Sequence, residues 1–413
     1  MLADGVLGLM GLFDPERVAD PYPTYAWLRA ARPAWQPLEN VFVLSRHEDC
    51  AAVLRDPRFG RSEKGRLGVR RPGLGGAGPL ERPAVRSFLA LNPPDHTRLR
   101  RLVSRAFTPG RVKGLGPRIE AIAAELIQTA SASDGPVDLI EALASPLPVT
   151  VISELLGVPS ADYDRLVTWS DALARGLDPP FLVPAEVRER QQAARADFAA
   201  YLGDLIAERR RRPGDDLVSA LAAVTDGGDV LSEEELIATC ILLLVAGHET
   251  TTSLMGAAVL GLLRHPDQLA RLRAEPDLVD GAVEEFLRYD PPVQLTARIA
   301  LTEASIGALS VPAGSAALLL VGAANRAPSL CAEPERLDVG RPPTHHLAFG
   351  LGIHFCLGAP LARLETQIVL RLLLRRPGDL RLAGEVEWKQ NAVLRGVRKL
   401  PLDLPAGVNG DGA

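Results

Sequence analysis

The chain has 413 residues, with 46 Lys and Arg against 51 Asp and Glu and a formal net charge of −5. Hydrophobic residues make up 47 % and charged residues 23 %, which excludes a disordered or fibrous chain, and the mild acidity argues against a nucleic-acid partner. Four cysteines, Cys50, Cys240, Cys331 and Cys356, include no CxxC pair and are too few for a disulfide framework, so a reducing, cytoplasmic setting is expected.

The length allows one large domain or two to three of about 150 residues. Met1 to Phe13 is apolar but carries Asp4 and no basic leader region. It is too short to span a bilayer, so residues 1–13 read as a flexible segment. A Pro-rich start gives way to a short helix, and Val41 to Leu44 reads as a strand. Residues 61–80 are glycine-rich with little periodicity and read as a loop. From Pro94 to Ser133 the pattern is helical with a break near Pro109-Gly110. Helical patterns recur at 142–157, 161–176 and 185–211. The last ends in Arg209 to Arg212 followed by Pro213-Gly214, which reads as a solvated basic helix end rather than a nucleic-acid contact. Short β-like pieces follow at 293–301, 304–311, 314–321, 379–382 and 397–403. The fold class is mainly α with a minor β part.

Between these lies one long helix. Ser232 is its N-cap, Glu235 completes a capping box, and Leu231 and Leu236 form a hydrophobic staple. The pattern runs to Arg264, where His265-Pro266 stops it, about 30 residues or roughly 45 Å. Its centre breaks the rules of a buried helix. Gly247-His248-Glu249-Thr250-Thr251-Thr252 interrupts two apolar stretches with a glycine, a carboxylate and three β-branched hydroxyl residues. Such conflicts mark functional sites. Glu249 and His248 argue against a membrane span, and HExxH fails because Thr252 stands where a second histidine ligand would be.

A second anomaly is the loop Phe349-Gly350-Leu351-Gly352-Ile353-His354-Phe355-Cys356-Leu357-Gly358, which feeds an apolar helix from Ala359 to Leu374. Phe355 stands where a dinucleotide fingerprint needs glycine. Cys356 at a helix N-terminus suits a lone thiolate ligand, stabilised by the dipole and by loop N–H groups. Glycines at 350, 352 and 358 let backbone approach a flat cofactor. One cysteine without co-ligands fits an iron already held by four macrocycle nitrogens.

The loop resembles the heme-binding signature of the cytochrome P450 monooxygenases. Ala246-Gly247-His248-Glu249-Thr250-Thr251 resembles their oxygen-activating helix, and Glu285-Phe286-Leu287-Arg288 their Glu-x-x-Arg motif. The resemblance runs from about Asp14 to Leu404. It implies a single cytochrome P450 domain over residues 14–404, with a flexible tail at 405–413 and heme b (iron protoporphyrin IX) as cofactor. Cys356 would be the metal ligand, with Phe349, Gly350 and Gly358 around it. His96, Arg100, Arg298, His346 and His354 would meet the heme propionates. Ala246 and Gly247 would leave room for dioxygen, Thr250 would hydrogen-bond it and Glu249 would help deliver protons. Glu285, Arg288 and Arg341 would form a structural cluster holding the cysteine loop.

The implied activity is insertion of one atom of dioxygen into a mid-sized organic substrate, by hydroxylation or epoxidation, in natural-product tailoring. Alternatives are a peroxide-driven peroxygenase and a non-catalytic heme sensor or carrier; the intact Glu249-Thr250 pair argues against both. Electrons would come from NAD(P)H through a ferredoxin and its reductase, docking on a basic patch of Arg98, Arg101, Arg105, Lys113 and Arg363. By position, Leu243, Ala246, Val293, Leu295 and Leu394, with the segments 61–85 and 168–184, would meet a hydrophobic substrate. A monomer without a membrane or nucleic-acid partner is expected. Ala327, Leu330 and Leu337 depart from the common pattern at packing positions.

Overall fold

In the computed structural model the helix that opens at Ser232 runs unbroken over Glu233–Arg264, 32 residues. The Ser232 hydroxyl accepts the Glu235 N–H at 3.1 Å and the Glu235 carboxylate accepts the Ser232 N–H at 2.9 Å, so two orphan donors of the first turn are satisfied reciprocally. By length and composition this helix is apolar enough to cross a membrane, but the protein itself buries 61 % of its most apolar stretch. The residues described are 14, 17, 19–31, 34–61, 87–132, 135–178, 183–376 and 378–404. The segments 1–13 and 405–413, and the glycine-rich loop beyond Arg61, lie outside them.

Around the long helix pack Pro146–Leu156, Tyr163–Ala174, Ala185–Arg211, Val279–Tyr289 and Ala359–Leu374. Leu244, Leu254 and Leu260 of the long helix share one core with Leu147, Phe198 and Phe286. The helical stretch after Pro94 is three helices, Asp95–Ala106, Pro109–Gly114 and Gly116–Ser131. The break expected at Pro109 is present, and a second falls between Gly114 and Gly116. The helix expected over 142–157 begins only at Pro146, after a widened π-type turn at Ile140–Ala144. There the Ser145 N–H reaches back to the Ile140 carbonyl at 2.9 Å, and Pro146, lacking an N–H, starts a fresh helix. At the end of Ala185–Arg211, Arg209 binds Asp216 and the Gly157 carbonyl, and Arg210 pairs with Glu233.

The β part includes one five-stranded sheet in the order Ala34–Leu38, Val41–Leu44, Ala316–Leu320, Leu295–Ala300, Phe59–Gly60. Val41–Leu44 and Ala316–Leu320 run parallel and are buried throughout, which is why both read as continuous apolar runs. The single strand expected over 304–311 is a hairpin, Ala304–Ile306 with Leu309–Val311, turning at Gly307 with φ of +56°. Phe59–Gly60, too short to show an alternating pattern, pairs antiparallel with the 295–300 strand, Gly60 opposite Ile299.

Glu285 and Arg288 are buried on the helix Val279–Tyr289. Arg288 makes two bonds to the Glu285 carboxylate, at 2.6 and 2.8 Å, and donates further to the carbonyls of Asn325, Pro334 and Arg336. Arg341 reaches the same carboxylate at 3.1 Å, as does the Asp338 N–H at 3.0 Å, while Arg341 also holds the Ala332 carbonyl at 2.7 Å. One buried carboxylate and two guanidinium groups therefore pin the irregular chain of residues 325–341 that leads into the cysteine loop. Leu337, in that chain, is buried in the main core.

Removing one partner of a buried, fully bonded ion pair strands the other. Arg288→Leu is expected to lower unfolding free energy by about 3–5 kcal/mol, whereas Ser232→Ala, which removes only a cap, should cost about 1 kcal/mol. Denaturant titration of both variants checks the contrast.

Candidate functional site

The cysteine loop is a tight reversal. The Cys356 N–H donates to the Phe349 carbonyl at 2.9 Å and the Gly350 N–H to the Leu347 carbonyl at 2.9 Å. Gly352 has φ of +70°, and a Cβ there would lie 2.5 Å from the Leu54 carbonyl oxygen, so both conformation and space demand glycine. Gly358 differs: it has ordinary φ and open space around it, and it contributes its N–H. Burial pushes the Cys356 thiol up, while the N–H groups of Gly358 and Ala359 and the charges of Arg100 and Arg363 pull it back. That is the environment of a sulfur that carries charge once a cation binds it.

Facing this loop is a cluster of three arginines and two histidines. His96 and Arg100 lie on one face of the helix Asp95–Ala106 at the i, i+4 spacing. The His96 ring is 4.3 Å from that of His354, and Arg100 donates to the Phe355 carbonyl at 2.8 Å. Arg298, from the 295–300 strand, is buried, and Arg61, at the end of the paired strand Phe59–Gly60, joins it. Both ring nitrogens of His96 and of His354, and Nε of Arg61, are buried without a hydrogen-bond partner. Burial lowers the Arg298 pKa to about 9 and the Arg61 pKa to about 10, so both stay charged at neutral pH. Burial together with Arg61, Arg298, His96 and Arg100 brings His354 down to about 3. Among the described residues no carboxylate pairs with any of these five groups. Three guanidinium groups gathered without an acid partner are costly, and the two neutral imidazoles add unpaired hydrogen-bonding nitrogens beside them.

The long helix supplies the third wall. Ala246 is exposed and Gly247 and Thr250 are half-buried, in the middle of a helix whose Leu243, Leu244, His248 and Glu249 are buried. The helix is thus open at its middle on this side. The Thr250 hydroxyl donates to the Ala246 carbonyl at 2.6 Å, leaving its lone pairs free to accept. Glu249 points the other way: its Oε2 is 2.7 Å from Lys389 Nζ. Burial pushes the Glu249 carboxyl up, but Lys389 and His248 outweigh it and hold it below its ordinary value.

Several expected residues are placed differently. His346 stands apart from the cationic cluster: its Nε2 meets Glu284 at 3.3 Å and its Nδ1 accepts the Ala348 N–H. Its partner is thus an acid within the protein, and a propionate role has no support from its surroundings. The basic patch is largely neutralised. Arg98 pairs with Asp229 and Glu235, Arg101 and Arg105 with Asp226, and Arg363 bidentately with Glu284, leaving Lys113 exposed. Val293 and Leu394 are joined by an antiparallel bridge, with Leu295 and Leu394 buried beside it, so two distant candidates for substrate contact form one apolar wall. Sequence reasoning missed Arg61 and Lys389. For Arg61 the sequence shows only an arginine at the edge of the glycine-rich loop, since Phe59–Gly60 is too short to read as a strand.

Comparison with known proteins agrees with this geometry. The family model described as Cytochrome P450 matches residues 80–376. The chain is 42 % identical to the cytochrome P450 monooxygenase PikC of Streptomyces venezuelae, over 95 % of this chain and 93 % of that protein. It is 40 % identical to the 6-deoxyerythronolide B hydroxylase of Saccharopolyspora erythraea, over 93 % of this chain and 96 % of that protein. Among solved structures, ligand-free CYP164A2 of Mycobacterium smegmatis superposes with a TM-score of 0.87 at 45 % identity, covering 96 % of this chain and 99 % of that one. The chain therefore belongs to the cytochrome P450 family of heme-dependent monooxygenases, which insert one atom of dioxygen into an organic substrate.

Proposed function

We propose that Cys356 ligates the heme iron, that Arg61, His96, Arg100, Arg298 and His354 hold the propionates, and that Thr250 and Glu249 manage the protons of oxygen activation in a soluble, cytoplasmic monomer whose catalytic domain is residues 14–404. The fit to heme rests on features of this chain. A sulfur bonded by two N–H groups lies at the N-terminus of the helix Ala359–Leu374, and three guanidinium groups and two neutral imidazoles, none with an acid partner among the described residues, lie beside it. Heme supplies a metal for the first and two carboxylates for the second. The observation that carries the reading is the set of orphaned nitrogens on His96, His354 and Arg61.

When bound, the heme supplies the redox chemistry that activates dioxygen. The chain's residues do the rest. Gly358 and Ala359 stabilise the thiolate with their N–H groups. Arg100 ties the helix Asp95–Ala106 to the cysteine loop through the Phe355 carbonyl. Thr250, its proton committed to Ala246, accepts a hydrogen bond at the open side of the helix, and Glu249, held at rest as carboxylate by Lys389, takes up a proton from behind the helix and passes it on. Electrons come from NAD(P)H through a ferredoxin and its reductase. The partner meets a surface whose arginines are mostly internally paired, so docking depends less on net positive charge than on shape. Absence of disulfides among the four free cysteines suits a cytoplasmic setting.

The substrate is a mid-sized, mainly apolar natural product. PikC, the 6-deoxyerythronolide B hydroxylase and the mycinamicin IV hydroxylase/epoxidase of Micromonospora griseorubida, 42 % identical, support this, as does the apolar wall of Val293, Leu295 and Leu394 with Leu243 of the long helix. Either hydroxylation or epoxidation is compatible with such a pocket.

The reduced protein with carbon monoxide is expected to show the red-shifted Soret band of thiolate-ligated heme. Cys356→Ala should abolish that band, and persistence of the band would rule out Cys356 as ligand. Thr250→Ala should keep the band but lower product per electron pair by at least about tenfold, the loss appearing as hydrogen peroxide. Turnover driven by hydrogen peroxide alone, at the rate seen with redox partners, would favour a peroxygenase.

A further inference from the structure

Behind the oxygen-facing side of the long helix, Glu249 is only 4 % exposed and meets its helix neighbour His248 and groups from two other elements. Lys389 approaches from the C-terminal strands at 2.7 Å. His248 is fixed between the hydroxyls of Ser145 and Ser170, at 3.0 and 2.9 Å. Asp171, on the helix Tyr163–Ala174, hydrogen-bonds the Glu249 carboxyl with its own. Ligand atoms of Asp171, His248 and Glu249 lie within 4.8 Å of one another. This resembles a metal site, but the Lys389 ammonium already provides the cation, and both His248 nitrogens are engaged.

Two carboxyl groups that share a hydrogen bond must hold a proton between them. Where it resides follows from the surroundings. Lys389 keeps Glu249 ionised, while burial and the adjacent Glu249 raise Asp171 to about 7. His248 is driven down to about 4 by burial and is neutral at physiological pH. Among the described residues, the charged groups acting on Asp171 are thus Glu249 and Lys389. Of the two carboxyls, Asp171 is the one open to solvent.

We propose that Asp171 is the proton-entry residue of this enzyme, taking protons from solvent and passing them to Glu249. The proposal rests on the reading of Glu249 as the proton-delivering acid. In the step, the O–H bond of Asp171 breaks as an O–H bond forms on Glu249. The Asp171 carboxylate left behind is reprotonated by solvent, Lys389 stays an ammonium, and no electrons move. The arrangement puts a loaded donor at the surface and a charged acceptor in the interior, so each turnover draws its proton across one carboxyl–carboxyl contact.

The test uses the holoenzyme with its redox partners and a turned-over substrate, comparing Asp171→Asn, Asp171→Glu and Glu249→Gln, each first shown to retain the carbon monoxide band of the wild type. In the resting protein, infrared titration should reveal a protonated carboxyl lost as pH rises through about 7, absent in Asp171→Asn. Product formation by the wild type should fall as pH rises through the same range, because Asp171 is then unloaded, and Asp171→Asn should lose that dependence. Asp171→Asn should also lower product per electron pair by about tenfold and enlarge the solvent deuterium isotope effect, with Asp171→Glu restoring both. If Glu249→Gln impairs coupling but Asp171→Asn matches the wild type in titration, coupling and isotope effect, the proposal for Asp171 is overturned while the role of Glu249 stands. If Glu249→Gln itself couples like the wild type, the underlying reading of Glu249 fails instead.

Discussion

Charge held inside an apolar helical core governs the construction of this protein. An ionised group in such an interior is costly unless partners surround it, and the chain places four such sets there. At Cys356 the compensation comes from backbone N–H groups and two arginines. At Glu249 it comes from Lys389 and a second carboxyl. At Glu285 it comes from two guanidinium groups and a backbone N–H. The fourth set, the arginines around His96 and His354, has no acid within the described chain, which is what the proposed seat for the heme carboxylates requires.

These charges are spread over distant parts of the sequence, so the fold is what brings them together. The pairing of Phe59–Gly60 with the 295–300 strand sets Arg61 beside Arg298. The helix Asp95–Ala106 brings His96 to within stacking distance of His354. The Glu285 clasp holds the chain that delivers the cysteine loop. The long helix is the common reference: one side opens at Ala246 and Thr250, and the other buries Glu249 against the helix Tyr163–Ala174 and the C-terminal strands. Destabilising the clasp is therefore a route to losing the cofactor without touching the heme site itself.

What was legible in the sequence was local. The capping box at Ser232, the stop at His265-Pro266, the glycines of the cysteine loop and the conflict at Gly247 to Thr252 all arise from residues within a few positions of one another. The Glu285, Arg288 and Arg341 set was reached only through family resemblance, and the structure brings the three into one buried cluster. Features that depend on tertiary neighbours stayed hidden. Arg61 reads as the edge of a loop until the strand register is known. Asp171 is an ordinary helix acid until its helix packs on Glu249. His346 lies near the cysteine loop in sequence, yet Glu284 claims it, and Arg98, Arg101 and Arg105 read as a basic face only while Asp226, Asp229 and Glu235 are out of view.

The most direct test of the account is whether the buried cations are there for the cofactor's carboxylates. Apoprotein can be titrated with iron protoporphyrin IX and with its dimethyl ester, following the Soret band. Hydrogen bonds to charged groups are worth about 1.5–3 kcal/mol each, so the ester should bind at least about tenfold more weakly, and Arg61→Ala with Arg298→Ala should narrow that gap. Equal affinity of the two porphyrins for the unaltered protein would contradict the account.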